Sequence, residues 1–287
     1  MYEHAAPQLD KAEAAQDLSG VYAALRELSL DEFVHNTFFP DPSRPDLWMR
    51  LPQLPAEQIQ RNYVGADGVR LEHMTAAFVR NLESYVDKAF GTRRGDLNIL
   101  DYGCGWGRIL RMMPWFTEPT RLYGVDPVAE SLEHCAAGRV PGEFALCDPI
   151  PTGVPFEGVT FDVVYAFSVF THLAERSSRA ILQSVRRRIS ADGVFVITIR
   201  PVEFWPLVEN VFGAERVREM ERLHRSDEYA FLPVDHLHVD GEATFGDASW
   251  SFAYMARMAA ECGWRVQAGW ERSMVDPYQI VVGLRPI

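Results

Sequence analysis

Three glycines at alternate positions constrain the fold of this chain more than any other feature. Residues 98–111 read N-I-L-D-Y-G-C-G-W-G-R-I-L-R. The apolar start predicts the end of a buried strand, Asp101 stands at its carboxyl end, and a helix is predicted over residues 108–115. Glycines let the backbone turn sharply, and a helix start then presents N–H groups and a positive dipole to a ligand. The stretch therefore predicts a ligand-binding turn.

The spacing of the glycines indicates which ligand. A dinucleotide-binding turn reads G-x-G-x-x-G, whereas this turn reads G-x-G-x-G and has Asp101 two residues before the first glycine. A carboxylate there repels a pyrophosphate and attracts the ammonium group of an amino acid. A glycine turn that binds nothing is the alternative that the glycines alone leave open.

The string D-x-G-C-G-x-G resembles the first motif of class I S-adenosylmethionine (SAM) methyltransferases. The string F-D-V-V-Y-A-F-S-V-F-T-H-L at residues 161–173 resembles their fourth motif. The resemblance implies that SAM is the cofactor. The residues expected to bind it are Tyr63, Asp101, Gly103, Cys104, Gly105, Gly107, Arg108, Asp126, Pro127, Asp148, Pro149 and Phe167.

Two further acidic residues follow predicted strands. Asp126 follows the strand at residues 121–125, about 20 residues beyond the glycine turn, where a carboxylate accepts hydrogen bonds from a ribose diol. It could also cap the next helix, and the two roles are compatible. Asp148 follows the strand at residues 143–146. The resemblance makes it the partner of the adenine amino group, and a simple turn aspartate before Pro149 is the alternative.

Strands and helices alternate from residue 98 onward, which predicts an α/β fold. The expected fold is a doubly wound, mostly parallel seven-stranded sheet of the Rossmann-like methyltransferase type, ending in an antiparallel hairpin. Residues 191–193, A-D-G, predict the turn before a fifth strand at residues 194–199. Residues 93–287 are the expected SAM-binding domain, and residues 200–250 are an insertion after the fifth strand that forms a lid or pocket wall.

Residues 1–92 predict a helical cap. One helix is expected over residues 10–28, a second is capped by Asp31, and a third spans residues 68–90 before Gly91. Tyr63 is the cap residue expected nearest the cofactor. The alternative is that it only packs the cap onto the domain.

A general base is sought first at His172, because a neutral imidazole accepts a proton near pH 7. A helix-capping or packing role is an equally good interpretation. His236 is the second choice, with His238 beside it in the same tract. With Asp235 or Asp240 the two could bind a divalent metal, but a polar lid loop without metal is favoured.

The implied activity is methyl transfer from SAM to a hydroxyl of a small molecule. A sugar or a secondary metabolite is favoured, because residues 63–65, Y-V-G, and 278–280, Y-Q-I, accompany G-C-G-W-G-R in methyltransferases of those pathways. N- or C-methylation, a non-catalytic SAM-binding regulator and a dehydrogenase stay open. The net charge of −12 argues against nucleic acid or membrane partners. Four scattered cysteines and the lack of a long apolar run predict a cytoplasmic protein.

Overall fold

The computed structural model describes residues 5–91, 95–234, 238–273 and 275–287. The chain divides into two compact units, Met1–Leu146 and Cys147–Ile287. Within the described residues, no helix combines the length and the apolar character needed to cross a bilayer.

The first unit begins with six helices. They are α1 (Ala6–Ala14), α2 (Leu18–Leu25), α3 (Leu30–Phe38), α4 (Pro45–Arg50), α5 (Glu57–Val64) and α6 (Gly68–Phe90). The prediction for α6 is confirmed, and Gly91 ends the helix with a φ of 63°. Leu71, Val79 and Leu82 form part of its buried face and are fully inaccessible.

Two predictions for the first helices are wrong. The expected helix over residues 10–28 is broken into α1 and α2, because Asp17 caps α2 by accepting a hydrogen bond of 2.7 Å from Gly20 N–H. The cap of α3 is Ser29, not Asp31. Ser29 and Glu32 form a capping box that satisfies the free backbone N–H groups at the start of the helix.

Three parallel strands and one more helix complete the first unit. These are β1 (Ile99–Tyr102), β2 (Leu122–Asp126), α7 (Ala129–Ala137) and β3 (Glu143–Leu146). β2 lies between the other two strands, with Asp101 opposite Gly124 and Asp126 opposite Leu146. The helix expected over residues 108–115 is instead a 3-10 helix, Leu110–Trp115. Pro114 explains the difference, since its ring would collide with the carbonyl four residues earlier in an α-helix.

The second unit contains the remaining strands and helices. They are β4 (Phe161–Ala166), α8 (Glu175–Arg186), β5 (Ile189–Ile199), α9 (Glu209–Phe212), α10 (Ala214–Arg225), β6 (Ala230–Pro233), β7 (His238–Val239), β8 (Glu242–Ala243), β9 (Gly246–Ser249), α11 (Phe252–Glu261), β10 (Trp264–Arg272) and β11 (Ile280–Pro286). β4 and β5 are parallel, and β11 is antiparallel to both β5 and β10. The predicted antiparallel hairpin at the end of the chain is thus confirmed.

β5 begins earlier than the sequence predicts. Residues 191–193, expected as a turn, lie inside the strand, and the pairing with β4 shifts between Ile189 and Val194. The segment between β5 and α11 forms a 3-10 helix at Val202–Val208, α9, α10 and two small antiparallel sheets, β6 with β9 and β7 with β8.

In the first unit β2 pairs with β1 and β3, and in the second unit β4, β5, β11 and β10 pair in that order. β11 runs antiparallel to both of its neighbours and the other pairs among these strands are parallel, which matches the predicted α/β fold class, and that class is confirmed. Ligands of such folds bind at the carboxyl ends of the parallel strands, so the side chains there decide the function.

Candidate functional site

The glycine turn of the first unit leaves β1 in a conformation that glycine favours. Gly103, Gly105 and Gly107 have φ values of 76°, 52° and 77°. The N–H groups of Gly103 and Cys104 donate to Val125 O at 2.8 and 3.0 Å, which ties the turn to the end of β2. The turn is therefore built as the sequence predicts, against the strand that carries Asp126.

Asp126 holds the turn and the next helix together. One carboxylate oxygen accepts a hydrogen bond from Gly105 N–H at 2.9 Å and the other accepts one from Val128 N–H at 2.9 Å. The side chain is buried, and burial raises the pKa of the carboxyl above its usual value. Each carboxylate oxygen can accept a further hydrogen bond. The ribose role stays a prediction, and the capping role coexists with it.

Asp101 and Cys104 lie buried next to the turn. A hydrogen bond with Cys135 and burial raise the pKa of the Cys104 thiol well above its usual value. Cys104 is therefore a neutral thiol, and its contact with a cofactor stays a prediction. The Cys135 thiol donates to Gly105 O at 3.2 Å, which fixes the same turn from α7.

Tyr63 of the predicted cap lies over this turn. A Cβ added to Gly105 would lie 3.4 Å from the Tyr63 ring, and the Tyr63 hydroxyl is 3.1 Å from Ser131 Oγ on α7. The structure thus brings Tyr63, the glycine turn and the start of α7 together within the first unit. Pro127 is exposed between β2 and α7.

Two arginines near the turn face the interior of the first unit. Arg108, a predicted cofactor residue, is buried, and its Nη1 donates to Thr75 Oγ1 on α6 at 2.9 Å. Arg111 is fully buried, and burial lowers its pKa to about 10. Its Nε donates to Gly107 O at 3.2 Å, and its guanidinium lies 4.7 Å from the Trp106 ring centroid. Sequence reasoning assigned Arg111 no role, although it stands one helical turn beyond Gly107.

In the second unit, Asp148 is exposed, whereas Pro149 and Phe167 are half-buried. Asp148 and Pro149 precede β4, and Phe167 follows it directly. Their contacts with a cofactor stay predictions.

Ser168 has a backbone conformation that is uncommon for a residue with a side chain. Its φ is 59°, in the left-handed region, directly beyond β4. Thr198 Oγ1 accepts its N–H at 2.7 Å, Gln279 Nε2 donates to its hydroxyl at 3.0 Å, and Thr171 Oγ1 lies 3.2 Å away. Side chains from β5 and the β10–β11 connection therefore hold a strained residue in place, as is common at functional sites. Nothing in the sequence indicates this strain.

Both ring nitrogens of His172 are engaged. Nδ1–H donates to Gly246 O at 2.9 Å, and Nε2 accepts from Arg200 Nη2 at 3.0 Å. Arg200 also pairs with Asp247, and the imidazole stacks on Phe245 at 5.3 Å between ring centroids. Burial and the neighbouring Arg200 lower the pKa of His172 to about 4. His172 is thus neutral at pH 7, but the lone pair that a general base needs is occupied.

His236, the second candidate base, and Asp235 lie outside the described residues. His238 lies in β7. The metal alternative built on this tract stays a prediction. Among the described residues, no group of three or more His, Cys, Asp or Glu side chains is arranged to hold a metal ion.

Comparison with known proteins identifies the central part of the chain. Residues 99–193 match the family described as "Methyltransferase domain". No curated protein matches the chain. The match spans the glycine turn, β2, β3 and β4, which are the elements that carry the predicted cofactor motifs.

Solved structures share the fold at low sequence identity. A SAM-dependent methyltransferase from Clostridium acetobutylicum is 11% identical, with a TM-score of 0.50 over 80% of this chain and 96% of that one. A TehB-like methyltransferase from Corynebacterium glutamicum is 16% identical, with a TM-score of 0.48 over 80% and 95%. Magnesium protoporphyrin IX methyltransferase from Synechocystis, solved with S-adenosylhomocysteine (SAH), is 13% identical, with a TM-score of 0.49 over 80% and 94%.

Proposed function

We propose that this chain, in which residues 99–193 match the methyltransferase domain, transfers the methyl group of SAM to a hydroxyl of a small molecule. The arrangement that carries the proposal is the glycine turn of the first unit, with Asp101 buried in β1, Asp126 hydrogen-bonded to Gly105, and Tyr63 over the turn. In this proposal, residues 1–92 form the cap and residues 200–250 form the insertion.

The residues of this turn fit the chemistry of the proposed cofactor. SAM carries an ammonium group beside a carboxylate at its amino-acid end, a positively charged sulfonium and a neutral ribose diol. Asp101 supplies the negative charge for the ammonium group, and Asp126 has hydrogen-bond acceptors for the ribose diol. An added Cβ at residue 105 would meet the Tyr63 ring at an ordinary contact distance of 3.4 Å, so the left-handed backbone of Gly105 is what favours glycine here. When bound, the cofactor supplies an activated methyl group, so the protein has to bind, orient and exclude water.

The acceptor end is proposed to lie beyond β4 and β5 of the second unit. Ser168 is held there by Thr198 and Gln279, and His172 is held by Arg200. With its Nε2 engaged, His172 could remove a proton only after Arg200 moves away. The contacts therefore favour an acceptor hydroxyl that loses its proton without help from a strong base. In that case His172 acts as a positioning residue.

The same contact favours a second candidate function, N- or C-methylation of a small molecule. An amine or a carbanion is already nucleophilic and needs less help from a base. A SAM-binding regulator without activity is the third possibility. The retained Asp101, Asp126 and Asp148 argue against a decayed cofactor site.

Calorimetry with SAH and with NAD tests the proposal. We expect SAH to bind at micromolar concentration and NAD not to bind, because a buried carboxylate beside the turn repels a pyrophosphate. Binding of NAD in place of SAH would refute the assignment. Formation of SAH from SAM in the presence of hydroxylated acceptors, compared with matching amines, then separates O-methylation from N-methylation, and no turnover with any acceptor would support the regulator.

A further inference from the structure

A cavity of about 220 Å³ lies entirely within the second unit, where β5 ends and β11 begins. Ile199 of β5 and Ile280 of β11 are paired and both line it. The remaining walls come from the segment between β5 and α11 and from the end of β10. The cavity therefore opens at the edge of the sheet where this fold binds its ligands.

Three aromatic side chains line the cavity, and they differ in mobility. Trp250 is buried and packs against neighbouring rings, so it is a fixed wall. Phe252 and Trp270 are 36% and 53% exposed and pack against each other at 4.9 Å between ring centroids. Large aromatic side chains left this exposed beside a concave surface are suited to stack on a planar ring.

The polar side chains of the cavity are mostly hydrogen-bond donors. Four line it, of which Arg200, His224 and Arg272 carry N–H groups and Glu203 carries a carboxylate. Glu203 Oε1 accepts from Arg272 Nη1 at 3.5 Å, and Arg272 Nε donates to Pro277 O at 2.7 Å, so these two bonds use two of the five N–H groups of Arg272 and one carboxylate oxygen of Glu203. A ligand here therefore meets more donors than acceptors.

Arg200 is fixed before any ligand arrives. Its guanidinium donates to Asp247 and to His172 Nε2, and it stacks on Phe204 at 3.8 Å from the ring centroid. These two bonds use two of its five N–H groups. The others can serve a ligand at no further cost in side-chain entropy, because the side chain is already ordered.

The tautomer of His224 follows from its neighbours. Trp205 Nε1–H, which can only donate, lies 2.7 Å from Ser249 Oγ. Ser249 Oγ also lies 2.8 Å from His224 Nδ1. Because Ser249 is buried, its hydroxyl has to donate its proton to a nearby acceptor, and among the described residues that acceptor is His224 Nδ1. His224 Nδ1 thus accepts, and the ring proton sits on Nε2 as a donor. Burial lowers the pKa of His224, which keeps the ring neutral at pH 7.

We propose that this cavity is the acceptor pocket and that it takes a compact aromatic ring carrying an anionic oxygen, such as a hydroxylated benzoate, in place of a neutral sugar. The inference rests on the proposed function and adds the acceptor class to it. The volume of the cavity agrees with such a ligand. A cavity of ~150 Å³ holds a benzene molecule, and this cavity of about 220 Å³ has room for a substituent on the ring as well. Sugar hydroxyls need acceptors as well as donors, and the cavity offers few acceptors.

The full-length protein, with and without SAH, is titrated with 4-hydroxybenzoate, the neutral 4-hydroxybenzamide and methyl glucoside. We expect 4-hydroxybenzoate to bind ~10-fold or more tightly than the amide, because it gains charge-assisted bonds to the arginines. Formation of SAH from SAM should likewise favour hydroxybenzoates over the matching amides. Equal binding of the amide, or tighter binding of the glucoside, would overturn the proposal.

Two variants with matched controls locate the binding. Trp270→Ala and Arg272→Gln should each weaken 4-hydroxybenzoate binding ~10-fold. Trp48→Ala removes a tryptophan of similar exposure on α4, and Arg222→Gln removes an exposed, ion-paired arginine of α10, and neither residue lines the cavity. Equal effects of variants and controls would contradict the assignment.

Calorimetry with SAH on the same samples separates the two proposals. If SAH does not bind, the proposed function fails. If SAH binds and 4-hydroxybenzoate does not, the acceptor class fails alone. All four substituted side chains are at least partly exposed, so loss of folding is not the expected outcome of any variant.

Discussion

Substitution of Gly107 by alanine tests how the glycine turn is built. Gly107 has a φ of 77°, and an added Cβ would lie 2.9 Å from both methyl carbons of Val140 and 3.2 Å from Cys135 Sγ. The left-handed conformation costs about 1–2 kcal/mol for a residue with a Cβ. The overlap adds about 1–3 kcal/mol, because Val140 is β-branched and rotates poorly. We therefore expect Gly107→Ala to lower the free energy of unfolding by about 2–5 kcal/mol.

Gly158→Ala is the matched control for this change. Gly158 has a φ of 74°, and nothing lies within 4 Å of an added Cβ, so only the backbone cost applies. Denaturant unfolding of the two variants measures the overlap as a difference of about 1–3 kcal/mol. Combining Gly107→Ala with Val140→Ala should then cost at least about 1 kcal/mol less than the sum of the single changes. The reasoning is refuted if the two glycine variants are equally destabilised.

Three further predictions concern the residues around the two sites. Asp126→Asn should weaken SAH binding about 10-fold or more in calorimetry, because an amide offers one acceptor where the carboxylate offers two; unchanged affinity would remove the ribose role. His172, with a pKa of about 4 in the folded state and 6.5 in the unfolded chain, binds fewer protons when folded between these values, so its contribution is complete above about pH 6.5 and is lost as the pH falls towards 4. Denaturant unfolding at pH 7 and pH 5 should show a decrease of about 2 kcal/mol that His172→Gln removes, and the same decrease in the variant would contradict the pKa. Tyr63→Phe, which loses only the contact with Ser131, should change SAH affinity by less than about threefold, whereas Tyr63→Ala should weaken it about 10-fold; equal effects would show that the ring does not matter.

The glycine turn could be predicted from sequence because its determinants are neighbours in the chain. Asp101 and the glycines lie within seven residues, and Asp126 ends the very next strand. The helix α6 was equally accessible, because its apolar spacing and Gly91 are local signals.

The wrong predictions of helix type and helix boundaries concern places where a local signal opposes the apolar or alanine-rich pattern around it. Pro114 excludes the α-helix that the apolar residues around it favour. Asp17, three residues before Gly20, is a helix-capping residue inside an alanine-rich run that looked like one helix. The sequence Ser29-Leu-Asp-Glu32 is a capping box, and the position of its serine determines the start of α3.

The contacts around Ser168 and His172 could not be predicted, because they join residues far apart in the chain. Arg200 meets His172 across 28 residues and Asp247 across 47, and Gln279 reaches Ser168 across 111. No periodicity or motif encodes such pairs. The choice of His172 as a base was reasonable from its position, but its protonation and its partners depend on Arg200, which the sequence does not place beside it.

The glycine turn is determined by residues that are close in the chain, and the proposed acceptor pocket by residues that are far apart. The two sites therefore differ in which substitutions they tolerate. The glycine turn depends on backbone conformation and on Asp126, so few substitutions preserve it. The proposed acceptor pocket combines a fixed part, Arg200 held by two partners, with an exposed part, Trp270 and Arg272 at the end of an edge strand. Substitutions in the exposed part disturb little of the core. The pocket can therefore exchange one ring-bearing acceptor for another while Arg200 keeps the preference for an anionic oxygen.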